Sequence, residues 1–124
     1  MAILRWNSTG ITVVDKTSSS GINSTQFKNP WGLALDWQYN LYVTERTSHR
    51  VQKFARGSKI GLIVAGSANG VSGTSLSLLS SCLGIAVDDN ENIYVAEFNN
   101  HRVTFWPRGS TSGTIVAGNG KISL

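Results

Sequence analysis

The chain has 124 residues, 40% hydrophobic and 15% charged, a balance that excludes a disordered polymer, and no apolar run approaches the roughly 18 residues of a membrane span. One cysteine, Cys82, excludes an intrachain disulfide and a multi-cysteine metal site. The net charge of +4 is local: Arg46, Arg50, Lys53, Arg56 and Lys59 stand together without an acid, leaving six basic and seven acidic residues elsewhere.

In chain order, residues 3–6 and 10–14 read as two strands. A polar connection, 17–28, follows. A compact apolar run, Gly32-Leu33-Ala34-Leu35-Asp36, then reads as a strand buried on both faces. Residues 36–40 make a short hairpin loop whose Asp and Asn ends tolerate left-handed backbone. Next come residues 40–45, alternating aliphatic with Tyr and Thr, then 49–54, and a glycine-bracketed strand, 61–66. A long Ser/Gly-rich connection, 67–81, leads to a second copy of the whole unit. Pro30–Asp36 falls on Cys82–Asp88, Asn40–Glu45 on Asn92–Glu97, His49-Arg50-Val51 on His101-Arg102-Val103, and Ile63–Gly66 on Ile115–Gly118, all at an offset of 52. Residues 3–14 resemble the latter half of a unit. Nothing reads as a helix beyond a single turn near Leu76–Leu79.

Four short antiparallel strands per fifty residues suit a propeller blade better than a solenoid coil. A lone blade leaves both sheet faces wet, so blades must stack side by side. The expected fold is therefore an all-β propeller of four-stranded blades, here an incomplete ring of about 2.5. Residues 1–29 form the outer pair of a partial blade plus a loop, 30–81 a blade and its following loop, and 82–124 a further blade. This organisation is expected of a fragment of a longer propeller. Its end blades expose apolar faces and strand edges and favour self-association.

The units resemble the NHL-repeat β-propellers. Gly84-Ile85-Ala86-Val87-Asp88, Asn92-Ile93-Tyr94-Val95-Ala96-Glu97 and Asn100-His101-Arg102-Val103 fit the repeat closely. Residues 30–54 fit too, with Ser48 in place of the asparagine before His49, while Cys82 replaces the proline kept at Pro30. The resemblance implies a ring of blades used mostly as a binding scaffold.

Candidate functional residues divide into two groups. Asp36, Glu45, His49, Arg50, Asp88, Glu97, His101 and Arg102 recur once per unit. A recurring position lies on different blades rather than converging on one point, so these read as structural, with Glu97 paired to Arg102 and the histidines satisfying backbone and carboxylate groups at each blade's loop. Binding is expected at the loops between second and third strands, Arg46, Thr47 and Ser48 in one unit and Phe98, Asn99 and Asn100 in the next, and at the connection 67–81. The basic strip of Arg46, Arg50, Lys53, Arg56 and Lys59 supports a second reading, RNA binding through phosphate contacts with Trp37, Tyr39 or Phe54 for stacking. A third is a hydrolase or lyase whose site lies in other blades. Trp6, Phe54 and Trp106 share one repeated position and read as inter-blade packing. Asp88–Asn92 resembles a calcium loop but lacks its glycine and terminal glutamate, which leaves a turn. No catalytic motif, metal site or cofactor site is marked. The sequence reading is thus a non-catalytic scaffold with a protein partner and no cofactor.

Overall fold

The computed structural model describes residues 9–14 and 21–119. Two four-stranded antiparallel sheets account for every strand among them, and no helix occurs among the described residues. Blade A comprises β1 (Pro30–Leu35), β2 (Leu41–Glu45), β3 (Arg50–Phe54) and β4 (Leu62–Gly66); blade B comprises β5 (Cys82–Val87), β6 (Ile93–Glu97), β7 (Arg102–Trp106) and β8 (Thr114–Gly118). Each sheet runs in simple sequence order, β1-β2-β3-β4 and β5-β6-β7-β8. Every blade B strand begins 52 residues after its blade A counterpart, and the pairing register repeats as well: Leu33 faces Val43 as Ile85 faces Val95. The irregularity after Pro30 recurs after Cys82.

The blades stack face to face. Tyr42, Val51 and Ala65 of blade A meet Leu79, Cys82, Ile93, Val95 and Trp106 in one buried cluster. Hydrogen bonds lock this seam where the first strands approach. The Thr44 hydroxyl donates to the Leu83 carbonyl at 2.9 Å and accepts the Gly32 N–H at 2.8 Å. A Cβ at Gly32 would run into that same Leu83 carbonyl, so only glycine lets the strands come this close. The Cys82 thiol donates to the carbonyls of Glu45 and Arg50, and burial pushes its pKa up to about 12. It is a neutral seam residue, which explains how a cysteine serves at the place of a proline.

The first strands depart from the sequence reading. They are not buried on both faces: Leu33 is 70% exposed and Leu35 55%. Their counterparts Ile85 and Val87 pack against the seam because blade A lies over them, whereas no sheet among the described residues lies over that face of blade A. Uncovered blade faces explain the same contrast at Tyr42, 1% exposed, and Tyr94, 37%. Residues 9–14 do not form a strand, and residues 3–8, with Trp6, lie outside the described residues. Val14 nevertheless packs against the Phe27, Val43 and Phe54 cluster on blade A's far face.

Candidate functional site

Each blade has two ends. One carries the β1–β2 and β3–β4 turns; the other carries the β2–β3 turn and the connection to the next blade. The first end is built by Asp36 and Asp88. Asp36 Oδ1 accepts the N–H groups of Gln38 and Asn40, and Oδ2 accepts the Asn40 amide at 2.8 Å and the Tyr42 hydroxyl. Asp88 repeats this with Asn90 and Asn92. Asn40 and Asn92 then take the N–H of Arg56 and Arg108, tying both turns of an end together. At Asp36 burial works against the charge, but the hydrogen bonds from Asn40, Tyr42 and Gln38 outweigh it and lower the pKa. These loops are turns, as their Asp and Asn ends suggest, with Tyr39 and Glu91 in left-handed backbone.

The other end rests on a buried ion pair in each blade. Arg102 Nε meets Glu97 Oε2 at 2.9 Å, with both side chains almost fully buried. The guanidinium also donates to the carbonyls of Thr74, Ser75 and Leu78, clamping the inter-blade loop onto the blade. Arg50 does the same with Glu45 and the carbonyls of Ile22, Asn23 and Ala68. Asn100 completes the blade B clamp, donating to Glu97 at 2.7 Å and to the Gly73 carbonyl at 2.8 Å. Ser48, too short for this, leaves its buried hydroxyl without a partner, and the Lys28 N–H reaches Glu45 instead. Ser48→Asn is therefore expected to stabilise the chain by about 1 kcal/mol, read as a higher urea midpoint with unchanged slope.

His49 satisfies a backbone group, as expected, but one that belongs to the approach to the next blade. His49 does not serve its own blade's carboxylate; its Nδ1 accepts the Ser81 N–H of the following blade at 2.9 Å. Burial, then the Lys28 charge, lowers the His49 pKa from 6.5. A histidine depressed in the folded state binds fewer protons there than in the unfolded chain. Its stabilising contribution is complete above pH 6.5 and is lost as pH falls from there through the depressed value. The thermal midpoint is expected to drop between about pH 7 and 5, and the drop to shrink in His49→Asn, which retains tolerance of the positive φ of 52°. Asp36 and Asp88 titrate below this window, since both are held below 3.8. His101, on blade B's open side, is exposed.

The five basic residues do not form one patch. Arg50 is buried in its clamp. Lys53 pairs with Glu91 across the seam at 2.8 Å and lies over the Tyr42 ring. Arg46 stacks on Trp31 at one blade end, while Arg56, over Tyr39, and Lys59, bonded to the Val13 carbonyl, lie at the other. A five-residue strand, about 17 Å long, separates these ends. The RNA reading thus loses the continuous charged strip on which it rested. Ser48 and Asn100, expected as contact residues, are buried structural groups, whereas Thr47, Phe98 and Asn99 are exposed. Trp31 and Val71 join them as exposed apolar groups at that end, whereas the Leu76 carbonyl accepts the Gly113 N–H beside the β7–β8 turn. The Lys53–Glu91 pair was missed, although comparison of repeats carries its signal: the counterparts of these two residues, Phe105 and Tyr39, both differ.

The NHL repeat matches residues 27–54 and 79–104. This chain carries two NHL repeats. Each match holds the Glu–Arg pair of its blade; the first spans β1 to β3, and the second spans β5, β6 and the start of β7. No curated protein matches the chain. A solved structure, the PQQ-bound form of an aldose sugar dehydrogenase from Streptomyces coelicolor, is similar at 20% identity and a TM-score of 0.50. That likeness covers 86% of this chain and 33% of the other, so the NHL-repeat chain spans about a third of that enzyme's length and shares its fold. The two blades are part of an incomplete propeller ring.

Proposed function

We propose that the NHL-repeat chain acts as a non-catalytic scaffold that binds a partner protein at the end bearing the β2–β3 turns and the inter-blade loop. The observation that carries this reading is the set of exposed groups on that end: Trp31 with Arg46 stacked on it, and Phe98, with Trp31 58% and Phe98 60% exposed. Aromatic residues and arginine are the side chains on which protein interfaces concentrate their binding energy. The clamps of Arg50 and Arg102 hold these loops rigid, which limits the ordering cost of binding. The non-catalytic part is supported by the carboxylates: Asp36, Asp88, Glu45, Glu97 and Glu91 are all engaged in turns, clamps or the seam.

The test is retention of partner proteins on the immobilised chain. Trp31→Ala combined with Phe98→Ala is expected to abolish retention, while Trp37→Ala at the opposite end leaves it intact. Equal loss in both variants, or indifference to the first, overturns the reading. Recovery of RNA instead of protein, falling steeply with salt, replaces it with polyanion binding.

A further inference from the structure

The offset of 52 relates the seam to the faces left open. At the seam, blade A presents Tyr42, Val51 and Val64, and blade B receives them with Ile93, Val95 and Trp106. Away from the seam, Tyr94, Val103 and Val116 of blade B hold the presenting positions, and Leu41, Val43 and Phe54 of blade A hold the receiving ones, the last two already covered by Phe27 and Val14. Apolar character is kept throughout. The seam's hydrogen bonds are not all kept, since Ala96 and Pro30 stand for Thr44 and Cys82, but its ion pair changes at both members together: Lys53 and Glu91 correspond to Phe105 and Tyr39. A single exchange would set a charge against an apolar surface, whereas the double exchange sets aromatic against aromatic.

The cavities correspond in the same way. A seam cleft of about 410 Å³ is lined by Tyr42, Lys53, Glu91, Ile93 and Trp106. Blade A's open face holds a groove of about 390 Å³ lined by Tyr39, Leu41, Phe54 and Arg56, the counterparts of the cleft's receiving wall. We propose that the open face of blade B docks into this groove on a second copy of the chain, head to tail, with Phe105 against Tyr39 where the seam sets Lys53 against Glu91. The new interface continues the stacking of the established one. It joins unlike surfaces, so copies add until a ring closes or an open array forms. Val13 and Val14 rim the groove where β4 stands at the seam, so the incoming β8 displaces them.

Sedimentation velocity of the full chain over a range of concentrations tests this. The unsubstituted chain is expected to associate as concentration rises. Phe105→Lys and Tyr39→Glu are each expected to weaken association about tenfold or more. The double variant rebuilds the seam's ion pair and is expected to return association to within about threefold. A chain that stays monomeric throughout overturns the proposal. So does a double variant no better than either single, or a Tyr39→Glu chain that associates normally while Phe105→Lys does not, since that result means blade B faces pair with each other. Circular dichroism confirms folding. Should a single variant unfold, Val116→Lys, at a half-exposed position of the same face, is expected to weaken association with an unchanged thermal midpoint, and normal association there overturns the proposal.

Discussion

Arg102→Ala is expected to cost about 3–5 kcal/mol of folding stability, measured by urea denaturation. The guanidinium is buried, pairs with Glu97 at 2.9 Å and holds the carbonyls of Thr74, Ser75 and Leu78. Removing it leaves the Glu97 carboxylate buried, with Asn100 and Thr104 as its remaining donors. Hydrogen bonds from neutral groups stabilise that charge but do not neutralise it. Arg102→Ala with Glu97→Gln should therefore be less destabilised than Arg102→Ala alone, because the uncompensated charge is gone. Arg102→Lys should rescue poorly, since an ammonium lacks the planar fork that reaches the carboxylate and the loop carbonyls together. If the single alanine variant unfolds at the same urea concentration as the unsubstituted chain, the clamp does not hold the blade.

Trp106→Ala is expected to lower stability by about 3–5 kcal/mol. The indole is 2% exposed, packs in the seam with Tyr42 and Ile93, and its Nε1 donates to the Thr104 hydroxyl at 3.0 Å. It also lines the seam cleft, so part of the space it vacates opens to water rather than remaining an empty cavity. That places the expected loss toward the lower end. A fall in thermal midpoint of about 10 °C corresponds to it in a domain of this size. Loss of less than about 1 kcal/mol would mean that the seam does not depend on this ring.

The strands, turns and clamp were legible in the sequence because their determinants are local or repeat. Asp36 and Asp88 close hairpins through neighbours two and four residues away. Glu97 and Arg102 face each other across two strands joined by a four-residue turn, so an acid and a base at those ends pair. The offset of 52 then carried the same reading to both blades. The candidate site was less legible. Charges clustered along the chain suggested a strip, yet β3 sends Arg50 into a clamp and Lys53 into the seam, and separates Arg46 from Arg56 and Lys59 by its own length.

By itself, then, the sequence determined that two like four-stranded units exist, where each strand lies, and that their loops share a common framework. Tertiary structure alone decided which faces of those units are covered. Leu33 and Ile85 occupy one repeated position, as do Tyr42 and Tyr94, but one member of each pair is packed and the other is exposed. Burial depends on the sheet stacked about 10 Å away, and the pattern within a strand carries no record of whether that neighbour is present.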